Sequence, residues 1–74
     1  MQIYVLVNNN GEFICKKGGE IFISRDELIH VVFYKHLKNL QNHVQDAAYW
    51  NHRNIPIRDF QIRLYEISLK PVDN

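Results

Sequence analysis

A chain of 74 residues has room for one domain, 1–74, whose folding removes only about 60% of the unfolded surface from water. Its single cysteine, Cys15, excludes an internal disulfide and a thiolate zinc site, so self-association or a partner is the support left to so small a fold. Nine basic residues against eight acidic ones, a net charge of +1, argue against a strongly charged nucleic-acid or membrane-surface binder.

In chain order, Ile3 to Val7 is an unbroken apolar, β-branched and aromatic run, the pattern of a strand covered on both faces. Asn10-Gly11 then signals a two-residue hairpin turn. A second strand is predicted from Glu12 to Lys16 or Lys17, a tight turn at Gly18-Gly19, and a third strand from Glu20 to Ile23. With both turns read as two-residue loops, Val7 faces Ile14, Ile14 faces Ile23 and Cys15 faces Phe22. Alternation then puts Ile3, Val5, Val7, Ile14, Ile21 and Ile23 on one face and Tyr4, Leu6, Phe13, Cys15 and Phe22 on the other. Both faces are apolar, and one helix covers only one of them.

Ser24 to about Asn51 reads as one long amphipathic helix. Ser24 and Glu27 form an S-x-x-E capping box, with Ile23 and Leu28 at the positions of a hydrophobic staple. Ile29, Phe33, Leu37, Leu40, Val44, Ala47 and Ala48 recur at helical spacing. Unbroken, such a helix spans about 40 Å against about 17–20 Å for a strand. It therefore overhangs the sheet or breaks, with Asn39–Asn42 the expected place. Pro56 closes the segment. A fourth strand is predicted over Asp59 to Leu69, beside the first and parallel to it if the helix runs back along the sheet. Its phase slips near Leu64–Tyr65, which suggests a β-bulge or a strand twist. Pro71 to Asn74 reads as a polar tail. The fold class is α+β: a four-stranded, mostly antiparallel sheet (a meander, a helix, a C-terminal strand) with one helix on one face.

Chemistry finds little footing. His36 and His43 are seven residues apart, about 10 Å along a helix, too far to share one ion. Cys15 sits mid-strand with no histidine base in any motif, the setting of an inert thiol. Asp46, Asp59 and Glu66 are dispersed, and Gly18-Gly19 is not followed directly by a helix as a phosphate cradle requires. No enzyme activity, metal or cofactor is expected. His36, His43 and Trp50, at i, i+7 and i+14, form a mixed seam at the edge of the helix stripe, with Tyr49 away from the stripe; its two readings are a boundary row of the core and a contact surface. No stretch approaches the ~20 apolar residues of a membrane span. The opening Met1–Val7 lacks a signal peptide's basic region, and a lone free cysteine suits a reducing cytoplasm.

The opening Tyr4-Val5-Leu6-Val7-x-x-x-Gly11-x-Phe13-Ile14, then a glycine turn, a short strand and a helix with Phe33 inward, resembles small accessory proteins encoded by bacteriophages and prophages. The resemblance covers roughly residues 3 to 40. It implies a non-catalytic protein that binds a host or phage protein, such as an inhibitor of a defence system, and it carries over no functional residues. The expected function is thus a small non-enzymatic protein-interaction module, binding another protein or itself as a homodimer. Its surface would be Tyr4, Leu6, Phe13 and Phe22 on the open sheet face, or the helix side with His36, His43, Tyr49 and Trp50. The alternative is single-stranded nucleic-acid binding, with bases stacked on Tyr4, Phe13 and Phe22.

Overall fold

The computed structural model describes residues 1–68. Four strands, β1 (Gln2–Asn8), β2 (Phe13–Lys17), β3 (Glu20–Ser24) and β4 (Phe60–Glu66), form one antiparallel sheet in the order β3-β2-β1-β4. Two short helices, α1 (Leu37–Val44) and α2 (Ala47–His52), pack on one face, which makes the fold α+β. Among the described residues no helix is long and apolar enough to cross a membrane.

The two turns of the meander behave differently. Gly18 and Gly19 both adopt positive φ (58° and 83°), as a two-residue type I′ turn requires, and Ile14 faces Ile23 and Cys15 faces Phe22 as expected. The first turn holds three residues, Asn9-Asn10-Gly11, with Gly11 at φ 74°. Asn8 sets that length: its Oδ1 accepts from the Asn10 and Glu12 amides at 3.0 and 2.9 Å, and its Nδ2 donates to the Glu12 carboxylate. Val7 consequently faces Phe13, one residue from the expected Ile14.

A one-residue slip exchanges faces. Tyr4 and Leu6 therefore share the helix side with Ile14, Ile21 and Ile23, while Phe13, Cys15 and Phe22 share the second face with Ile3, Val5 and Val7. That corrects the face assignment read from the sequence.

The long helix is also corrected. Ser24 does what a capping residue does, its Oγ accepting from the amides of Asp26 and Glu27. The chain then makes one 3₁₀ turn, Leu28–His30, and continues extended. The β-branched pair Val31-Val32 disfavours a helix, and sheet partners take this stretch instead. β1 and β2 pair only next to their turn and then splay. Val31–Tyr34 enters the gap: the Val32 amide donates to the Ile14 carbonyl at 3.0 Å, and Tyr34 exchanges two hydrogen bonds with Tyr4 at 2.8 and 2.9 Å.

Helix resumes at Leu37 and breaks at Gln45–Asp46, beyond the expected Asn39–Asn42. Asp46 caps the second piece, its Oδ1 accepting from the Tyr49 amide at 3.2 Å. Asn54, in the left-handed region at φ 56°, ends that piece, and the Ile55 amide returns to the Trp50 carbonyl.

β4 starts at the end where β3 stopped, since Phe60 lies opposite Asn8 and Ser24 opposite Phe13, both beside the first turn. It pairs antiparallel with β1, from Gln2 opposite Glu66 to Asn8 opposite Phe60, and not parallel. The neighbour is the expected one. No bulge interrupts the ladder: Phe60, Ile62 and Leu64 lie on the helix side and Tyr65 on the second face, so the apparent phase slip is a strand apolar on both sides. The Leu69 end of the predicted strand and the predicted tail lie outside the described residues.

The core lies on the helix side, where Leu6, Ile14, Leu40, Trp50, Ile55 and Phe60 form one buried cluster.

Candidate binding surface

Ile3 and Val5 are 6% and 2% exposed although they point away from the helices. Three neighbours cover them in part. Phe13 from β2 and Tyr65 from β4 lean toward each other across β1, ring centroids 6.2 Å apart at 61°. The 3₁₀ turn folds back over the second face and contributes Leu28 and, just after it, Val31. Cys15 is sealed beneath that turn with no exposure, its Sγ 3.8 Å from the Glu27 carbonyl. Burial first, then the negative charge of Glu27, pushes its thiol up from the usual value.

Between Val31, Phe13, Tyr65 and Ile67 a groove of about 280 Å³ remains, floored by Ile3 and Val5. That volume lies below the roughly 300–1,000 Å³ of small-molecule sites and suits one or two apolar side chains. At its rim the turn presents Leu28, 60% exposed; the next residue of the turn, Ile29, is 90% exposed and lies beside Lys17, Asp26 and Glu27. An apolar floor with a protruding apolar rim, edged by Tyr65 and Glu66, is a surface suited to contact.

The residues singled out from sequence divide three ways. Phe13 lines the groove, and Phe22 lies on the same face opposite Cys15. Leu6 and Trp50 are interior, at 3% and 1% exposure, and Tyr4 is half-buried on the helix side. His36 is exposed just before α1.

His43, Tyr49 and Trp50 do come together, as a clasp over the helix break and not as an open seam. The His43 ring lies 4.3 Å from that of Tyr49 and 4.9 Å from that of Trp50, and its Nδ1 meets the Tyr34 hydroxyl. Trp50 Nε1 donates to the His43 carbonyl at 2.8 Å, and the Arg53 guanidinium lies 3.7 Å from the centre of the Tyr49 ring. Burial first, then Tyr49, raises the Tyr34 phenol above its ordinary value, so it keeps its proton as a hydrogen-bonding partner. Among the described residues no three His, Cys, Asp or Glu side chains gather as metal ligands would.

The aromatic platform supposed for nucleic acid is divided, since Tyr4 faces the helices while Phe13 and Phe22 face away. Sequence reasoning misses Leu28, Ile29, Val31 and Tyr65. It absorbs Leu28 and Ile29 into the supposed helix, and Tyr65 into a supposed bulge. The one available signal is the β-branched run Ile29, Val31, Val32, which disfavours helix. Family models, curated proteins and solved structures return no match to this chain.

Proposed function

We propose that this chain is a small non-enzymatic protein-interaction module that binds an apolar segment of a partner protein on its second sheet face. A phage-borne modulator of a host protein would be one case of that reading. The observation that carries it is the groove over Ile3 and Val5 with Leu28 exposed at its rim and Ile29 exposed next to it in the same turn. Covering those two side chains contributes on the order of 1.5–3 kcal/mol each, a gain that monomers rarely leave unclaimed on a contiguous patch. The chemistry of the groove asks for one or two aliphatic or aromatic anchors.

Immobilised wild-type protein and the double variant Leu28→Asp/Ile29→Asp, both checked for native circular dichroism, are compared for retained proteins at low and high salt. Retention by the wild type alone, held or strengthened by salt, is the expected result. Equal retention by the variant removes this face from the function. Retention of nucleic acid with steep loss at high salt would replace the reading with phosphate binding.

A further inference from the structure

Beyond the groove, the outer edge of β4 leaves backbone groups without partners among the described residues. In an antiparallel ladder alternate residues turn their amide and carbonyl to one neighbour and the rest to the other. Tyr4 spends both groups on Tyr34, on the side away from β4. Ile3, Val5 and Val7 are therefore the β1 residues bonded to β4, through Tyr65, Arg63 and Gln61. Ile62, Leu64 and Glu66 must then turn their amides and carbonyls outward, where no described residue takes them up. The opposite edge is shorter: the Val32 bond to the Ile14 carbonyl fixes the phase there and leaves only Ile21 and Ile23 of β3 facing outward. β4 also has no proline or bulge to blunt its edge; its charges are Arg63 and Glu66, the latter paired with the Met1 ammonium at 3.3 Å.

We infer that β4 pairs antiparallel with the β4 of a second copy, about a two-fold axis at Leu64, to make one continuous eight-stranded sheet. The side chains argue for a second copy and for this register. With Leu64 on the axis, the two Leu64 side chains, each 51% exposed, meet on the helix side. On the second face each Arg63 lies opposite the other copy's Tyr65, a guanidinium–ring pairing made twice. On the helix side each Glu66 lies opposite the other copy's Ile62, which shares a groove with the cationic Lys38. Moving the axis to Arg63 sets two guanidinium groups against each other. An axis at Ile62 would oppose Ile62 to Ile62 but face each Arg63 with Gln61 in place of an aromatic ring. The Leu64 axis sets leucine against leucine and each guanidinium against a tyrosine ring.

The test is light scattering over a concentration series with single variants of this exposed strand, each checked for native circular dichroism. A concentration-dependent dimer is expected for the wild type. Leu64→Lys and Leu64→Glu alone should each weaken it by at least about tenfold, near 1.4 kcal/mol, and an equimolar mixture of the two should restore it. For the register, an oxidised mixture of Arg63→Cys and Tyr65→Cys should form a heterodisulfide. Those positions would be directly opposed at about 4.5 Å between Cα atoms. Arg63→Cys alone should not cross-link. A wild type monomeric up to about 1 mM overturns the inference, as does a dimer indifferent to both Leu64 variants. A dimer abolished by Leu28→Asp/Ile29→Asp but not by Leu64→Lys places self-association on the groove and overturns it too. Loss of the β4 dimer in the Leu64 variants leaves the groove reading untouched, because Leu64 does not line the groove and the groove is tested at Leu28 and Ile29.

Discussion

The two faces of one sheet are closed by different means. On the helix side α1 and α2 bring Leu40 and Trp50 down to 0% and 1% exposure over Leu6 and Ile14. On the second face a single 3₁₀ turn and two leaning rings shield Ile3, Val5 and Cys15 but leave a groove and two exposed aliphatic residues. Closure by helices concentrates stability; closure by a turn conserves it only at the centre and leaves the margin open to contact. Substitutions on the two faces should separate stability from binding.

Trp50→Ala should give the largest loss, about 3–5 kcal/mol in urea unfolding, since it empties the core and removes the donor to the His43 carbonyl. A loss below about 1 kcal/mol would mean that the helices do not close that face. Tyr34→Phe should cost about 1–3 kcal/mol by leaving His43 Nδ1 without its hydrogen-bond partner, read in the same titration. Alkaline pH sharpens the comparison further. Tyr34 and Cys15, one on each side of the sheet, both hold their protons more tightly folded than unfolded, through burial first and then Tyr49 and Glu27 respectively. A raised folded-state value leaves stability intact below the unfolded value and removes it as pH rises through the folded one. The unfolding midpoint should thus be level at neutral pH and fall from about pH 9–10 upward. Tyr34→Phe should flatten that fall, and an unchanged alkaline limb in the variant would remove Tyr34 as its source. The smallest effect is expected for Ile29→Ser, within about 0.5 kcal/mol in stability. Its protein retention in the capture experiment should nevertheless drop. A stability loss above about 2 kcal/mol would show that the rim is part of the fold and not a surface.

Legibility in the sequence tracks how local each determinant is. Gly18-Gly19 fixes a turn by backbone conformation alone, and the strands on either side are in the expected register. Asn10-Gly11 marks a turn correctly, but the extra residue depends on the Asn8 side chain bonding across the loop, and that single residue exchanges the faces of Tyr4 and Phe13. Ser24 and Glu27 form a sound cap on paper, and Ser24 bonds as a cap should. The helix fails because Val31, Val32 and Tyr34 have partners in β2 and β1, distant in the chain. Asp46 is readable as the cap of α2, a residue of the favoured type just before Ala-Ala-Tyr-Trp, once the helix is not taken as continuous. Of the candidate site, alternation finds Phe13 and Phe22. It does not find Leu28, Val31 and Tyr65, because they meet only through the splay of β1 from β2.

That splay orders the events of folding. The β2–β3 hairpin needs only neighbours and can form within microseconds. β1 cannot zip to β2 beyond the turn, since Val31–Tyr34 must lie between them, and its long ladder waits for β4, more than fifty residues downstream. Closing so distant a pair is the slow, entropy-limited kind of contact. The first strand made is thus the last to be completed, and until β4 arrives its apolar residues are open to chaperones and to other chains.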